Sequence, residues 1–172
     1  MENRETPPLP AGSPLPLRPH HGMCLGFFTG HGYSGAFTEH MARVRRGLWE
    51  NPGRPVVLRR GADVLCAACP NNLGGACRTA EKADRYDERV LEACGLSFGQ
   101  TMAWRAFRRA VAEKILARPG AREAICADCW WNPLCQQQDV EKSVESVKNF
   151  PETTFCIIPG DDPRGEKGEK TK

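Results

Sequence analysis

"LCAACPNNLGGAC", residues 65–77, places Cys66, Cys69 and Cys77 in a C-x2-C-x7-C phrase. "ICADCWWNPLC", residues 125–135, repeats the grammar as C-x2-C-x5-C with Cys126, Cys129 and Cys135. Two cysteines separated by two residues can aim both sulfurs at one ion or one cluster edge. The turn between them can point N–H groups at the thiolates. A third cysteine a few residues on closes the loop. Pro70, Gly74 and Gly75 suit a tight reversal rather than a continued helix. Trp130 and Trp131 stand directly after Cys129, where indoles can keep water from a site. Buried structural thiols would have no reason to repeat such a phrase. Metal ligation is the better reading.

The rest of the composition agrees. The chain has 172 residues, nine cysteines and a formal net charge of +3. Grouped cysteines in a chain without a secretory pattern read first as metal or redox sites, because disulfides are disfavoured in the cytosol. "MENRETPPLPAGSPLPLRP" has prolines and charge but no apolar core of a signal peptide. No stretch is long and apolar enough to cross a membrane. The expected location is therefore cytoplasmic, with a redox or protein partner. The small charge gives no argument for nucleic acid.

Outward from the two phrases, periodicity is mainly helical. Residues 1–16 are expected to form a disordered, proline-rich tail, and residues 160–172 a disordered, charged one. A single cysteine-rich metal-binding domain is expected over residues 17–159. Ser34 can cap a helix with Phe37, Met41, Val44 and Leu48 on one face, ended by "NPGRP". Val56–Arg59 is a short strand candidate. Thr79 can cap a second helix with Ala83, Tyr86, Val90 and Ala93 inward, stopped by Gly95. Thr101 can cap a third, with Trp104, Phe107, Val111 and Ile115 on one face. A fourth is expected around Val140, Val144 and Val147. The fold class is mainly α, a small cysteine-rich helical domain with at most a short β element.

"RPHHGMC" is a second constellation. On a helix, His20 and Cys24 lie one turn apart, and His21 nearly so. That is ligand geometry, or the geometry of a base beside a nucleophilic thiol. A histidine pair bonded to carboxylates, with Cys24 in the core, would look the same. Each phrase supplies three thiols where zinc and iron–sulfur clusters both take four ligands. The two phrases can converge on one site, or each can hold its own site and borrow a fourth ligand. Cys24, His20 and His21 are the first candidates for that ligand.

Other signals carry less. "GHGYSG", residues 30–35, matches G-x-G-x-x-G but lacks the flanking strand and acid of a dinucleotide site. It reads as a loop opening the Ser34 helix. Arg105, Arg108 and Arg109 beside Trp104 and Phe107 are expected on the edge or solvated side of a helix whose aromatics are core. Cys94 and Cys156 read as core thiols.

In order, "LRPHHGMCLGFF", "GYSGAFTEHM", "CAACPNNLGGAC", "RYDERVLEACGL" and "ICADCWWNPLC" resemble the small bacterial and archaeal proteins of domain of unknown function family 1284. The resemblance spans about Leu17 to Cys135. It implies suspected iron–sulfur binding with no established activity. By it, Cys66, Cys69, Cys77, Cys126, Cys129 and Cys135 carry over as the motif cysteines, and His20, His21 and Cys24 as the N-terminal motif. The expectation is thus an iron–sulfur protein, with a 4Fe-4S cluster favoured and a role in electron transfer or redox sensing. The alternatives are a structural zinc protein acting as an interaction module, and an enzyme using Cys24 with His20 or His21.

Overall fold

The computed structural model describes residues 12–138. The helix expected around Val140, Val144 and Val147, the C-terminal tail, most of the N-terminal tail and Cys156 lie outside the described residues. The first element is a strand, β1 (Leu15–Leu17). Leu15 and Pro16, which composition placed in the tail, therefore belong to the folded part. Helix α1 (Pro19–Cys24) follows, with proline at its start, where the missing N–H costs nothing.

Helix α2 (Gly35–Glu50) starts at Ser34, whose Oγ accepts from Phe37 N at 3.1 Å. Phe37, Met41, Val44 and Leu48 are all buried, as the apolar stripe required. Strand β2 (Pro55–Leu58) matches the expected strand within a residue. The first cysteine phrase forms a 3-10 turn (Leu65–Ala68) and a hairpin of β3 (Asn72–Leu73) and β4 (Ala76–Cys77). Gly74 and Gly75 turn that hairpin at φ 68° and 101°. A two-residue turn with both φ positive matches the twist of a hairpin and favours glycine.

Helix α3 (Ala80–Cys94) ends as expected at Gly95 in the left-handed conformation. Its start differs in detail. Thr79 occupies the N-cap position, but its hydroxyl lies 3.5 Å from Cys77 Sγ and caps no backbone N–H. The next segment corrects the sequence reading more strongly. Thr101 begins strand β5 (Thr101–Ala103), and helix α4 starts only at Trp104 (Trp104–Val111). The reason is tertiary. Strand β5 pairs antiparallel with β2, and Trp104 N donates to Arg54 O at 2.8 Å. Helix α4 runs on as a π-helical turn, Ala112–Leu116. The face of Trp104, Phe107, Val111 and Ile115 is buried throughout. Helices α5 (Ala121–Cys126) and α6 (Asn132–Gln136) bracket the second phrase.

The architecture is mainly α, with two small sheets. Strand β2 lies between β1, parallel, and β5, antiparallel. Leu15, Leu17, Val56 and Leu58 are wholly buried and join the helical stripes in one core. Helix α1 packs on α3 and α4. The approach is close, since a Cβ on Gly22 would stand 2.5 Å from Phe107 Cε1.

Arg108 departs from expectation. It is buried, with its guanidinium 4.6 Å from the Trp49 ring centroid and 5.7 Å from that of Trp104. Burial lowers its pKa to about 10. Two indole faces take the place of solvent for the cation. Among the described residues, no helix is long and apolar enough to cross a membrane.

Candidate metal centre

The two cysteine phrases share one backbone hydrogen-bond pattern over their C-x2-C-x2-N portions, although a hairpin follows in the first and a helix in the second. Cys69 N donates to Cys66 O at 3.2 Å, and Cys129 N to Cys126 O at 2.9 Å. Asn72 N then donates to Cys69 O, and Asn132 N to Cys129 O, both at 3.0 Å. The second thiol of each pair receives backbone N–H groups from the residues that follow. Asn71 and Asn72 serve Cys69, while Trp131 and Asn132 serve Cys129. Such N–H groups stabilise a thiolate and are the local reason for the repeat. Burial also falls alike, since Cys66 and Cys126 are buried and Cys69 and Cys129 half-buried.

All six phrase cysteines line one cavity of about 180 Å³, together with Cys24, His20 and His21. Every candidate residue from the sequence therefore reaches the same place. Cys94 does not line the cavity; it is half-buried against the core, as expected of a structural thiol. Among the described residues all the cysteines are free thiols.

Within the cavity the thiols fall into two groups. Burial pushes the Cys24 pKa up, and the next causes are Cys126, Cys129 and Cys135. Cys126 is pushed up to about 12 by burial and by Cys129, and Cys135 is raised by burial and by Cys129 as well. In the first phrase, burial and Asp63 raise Cys66 to about 12, with Cys69 adding to the effect. Burial and Cys77 raise Cys69. A thiol so held is protonated unless a cation or a metal compensates it.

Helix α1 stands between the groups. His21 Nδ1 lies 2.8 Å from Asp63 Oδ2, and His20 Nδ1 lies 2.6 Å from Asp87 Oδ1. Asp63 and Asp87 are buried, and both are held below the usual carboxylate range. Burial acts against this. His21 and the backbone N–H of Arg18 bring Asp63 down to about 2 nonetheless, and His20 with Arg18 lowers Asp87. An ionised carboxylate only accepts, so each histidine carries its proton on Nδ1. Its Nε2 is then the atom left for a ligand, the arrangement that carboxylates impose on metal-binding histidines. Burial and its neighbour His21 lower the His20 pKa to about 4, which keeps that ring neutral.

Opposite charges border the two groups. Arg122 is buried beside the second phrase and donates to the Cys126 sulfur and to Asn132 Oδ1, the latter at 2.8 Å. Asp63 borders the first phrase. Tyr33 lines the same cavity, with its ring 5.3 Å from that of Trp131. Trp131 is half-buried, whereas Trp130 is 55% exposed and covers less than expected.

Sequence reading had overlooked Asp63, Asp87, Arg122 and the two asparagines. The asparagines were visible as C-x2-C-x2-N in both phrases, Asn72 and Asn132. The acids and the arginine carry no such signal, because only tertiary packing brings them against the residues that line the cavity.

Fold and cavity define a small helical protein built around a thiol-lined chamber. The chain belongs to the family described as protein of unknown function (DUF1284), whose model matches residues 32–135. The match includes both cysteine phrases and begins after α1. No curated protein and no solved structure shows significant similarity to the chain.

Proposed function

We propose that this protein binds iron–sulfur clusters, of the four-iron kind, and serves in electron transfer or redox sensing. One observation carries the reading: seven thiols from three separate stretches of chain line one cavity. The donor set fits the group, because clusters are held by cysteine thiolates whose backbone N–H partners tune them. The N–H groups after Cys69 and Cys129 are of that kind. When bound, a cluster supplies a one-electron couple. Arg122 offsets thiolate charge at the second phrase, and Tyr33 and Trp131 limit the access of water. A reducing, cytosolic setting suits so many unpaired cysteines.

The number of thiols favours a cluster over structural zinc. One zinc takes four ligands, whereas seven thiols line this cavity, and a cluster's irons, each taking its own thiolate, use the larger set. A nucleophilic role for Cys24 has less support. Its pKa is pushed up rather than down, the reverse of an activated thiol.

Anaerobic reconstitution of metal-free protein with ferrous iron and sulfide tests the proposal. The expected outcome is tightly retained iron and sulfide in equal amounts, lost on Cys69→Ser with Cys129→Ser. Retention of zinc alone, in competition with iron and sulfide, would contradict it.

A further inference from the structure

Seven thiols do not divide into two complete sets of four, so one set needs a ligand of another kind. Helix α1 supplies a candidate to each side. At its C-terminal end, Cys24 leads directly into the 3-10 turn Leu25–Phe27. That turn is tied to the second phrase: Gln138 Nε2 donates to Phe27 O at 2.5 Å, and the Arg122 guanidinium lies 5.6 Å from the Phe27 ring centroid. Three residues earlier on the same helix, His21 is tied to the first phrase through Asp63. A ring nitrogen of His21, a carboxylate oxygen of Asp63 and the Cys66 thiol lie within 4.8 Å of one another.

Asp63 is the organiser of this trio rather than its ligand. Its Oδ2 accepts from Arg18 N at 2.7 Å and from His21 Nδ1. Its Oδ1 accepts from Leu65 N at 3.0 Å and from Cys66 N at 3.2 Å. With both oxygens occupied, the carboxylate fixes where His21 and Cys66 stand and leaves them as the donors. His20 is held twice by Asp87, through its ring and through its backbone N–H at 3.0 Å. Its ring lies against that of His21, with centroids 4.3 Å apart and planes tilted by 54°. Its role is to position its neighbour.

Resting on the iron–sulfur reading, we infer that the cavity holds two unlike clusters: one bound by Cys24, Cys126, Cys129 and Cys135, the other by Cys66, Cys69, Cys77 and the Nε2 atom of His21. The first lies beside the Arg122 cation. The second lies beside the Asp63 anion and has a histidine corner. Replacing an anionic thiolate by a neutral imidazole changes the charge of the ligand set itself and raises a cluster's potential, so the centre with the histidine corner has a potential distinct from that of the all-thiolate centre.

The test uses full-length protein purified anaerobically, with iron and sulfide analysis, a redox titration followed by electron paramagnetic resonance, and pulsed measurement of histidine nitrogen coupling in reduced protein. The expected wild type shows two reduction steps and nitrogen coupling on one signal only. Cys24→Ser loses about half the iron and the uncoupled signal, since a cluster short of a thiolate is labile. His21→Cys keeps all the iron, loses the nitrogen coupling and shifts one potential. A single signal lost alike in Cys24→Ser and His21→Ala would overturn the inference in favour of one shared site. So would wild-type protein with two clusters and no nitrogen coupling. Either result leaves the iron–sulfur reading standing. Wild-type protein that holds no iron and takes up none with sulfide would remove that reading, and this inference with it.

Discussion

Asp63 has no freedom to be anything but a carboxylate. Four donors converge on it: three backbone N–H groups and the His21 ring. An amide at this position keeps one acceptor oxygen and turns an NH2 group toward donors. Asp63→Asn should therefore cost about 2–3 kcal/mol of stability in urea unfolding, since bonds to a charged group are lost in a buried place. It should also weaken metal retention at the first phrase. Unchanged stability would show that the backbone groups had found other partners.

His20 gives a pH dependence with a definite sign. Its pKa is about 4 in the folded state against 6.5 for the free side chain. Folding thus disfavours the charged form. Above pH 6.5 the ring is neutral in both states and the folded protein carries no penalty. As pH falls from 6.5 toward 4, the unfolded chain takes up a proton that the folded one refuses, and stability is lost. Asp63 and Asp87, whose pKa values are depressed, contribute stability above about pH 3.8 that fades below it, in a separate window. Thermal unfolding of the metal-free protein should show Tm falling between pH 6.5 and 4, and His20→Gln should flatten that slope. Equal slopes in both proteins would contradict the assignment. At this scale the sequence was only partly legible. Cys24, His20 and His21 could be picked out because they sit within five residues in "HHGMC". The carboxylate partners of His21 and His20 are 42 and 67 residues away in the chain and share no motif with them.

At the scale of elements, everything depends on how α1 is seated. It presents side chains to both cysteine phrases while packing on α3 and α4. Gly22 permits that seating because Phe107 occupies the space of any Cβ. Gly22→Ala should cost about 1–3 kcal/mol through overpacking. It should also lower metal content, because displacing α1 moves Cys24 and His21 together. The matching control is Cys94→Ala, which removes a thiol outside the cavity and should leave metal content unchanged. Loss of metal in that variant would mean that Cys94 takes part after all. Helices α2 and α3 were readable from apolar stripes and end signals, Ser34 and Gly95. Strand β5 was not. "TMAW" carries a helix-cap threonine, and only the pairing with β2 overrides it. Strand β1 was hidden for a similar reason, because the prolines around Leu15 and Leu17 read as tail until a parallel partner is supplied.

On the scale of the whole molecule, the protein places a thiol chamber where helices α1, α2, α3, α5 and α6 converge with the loops of the two cysteine phrases. On the proposed reading, a metal group held by thiols from three stretches of chain would bind the folded state and not the unfolded one, and so would add to stability. The loaded protein should melt well above the metal-free one, by upwards of about 10 °C for a domain of this size, since several kcal/mol of binding free energy are added to the folded state alone. Equal Tm values for the two forms would show that the metal is peripheral. The grouping of the cysteines was legible at this scale before the fold was, because C-x2-C followed by a third cysteine is stated twice, and all six thiols line one cavity. The convergence of both phrases on one chamber was not, since α3, β5 and α4 separate them in the chain.

The measurement that bears most directly on the account is a visible absorption spectrum with iron, sulfide and zinc analysis of one anaerobically purified sample. The account predicts brown protein with a broad band near about 400 nm, bleached by dithionite, with iron and sulfide in equal amounts. Colourless protein with stoichiometric zinc and no sulfide would contradict it.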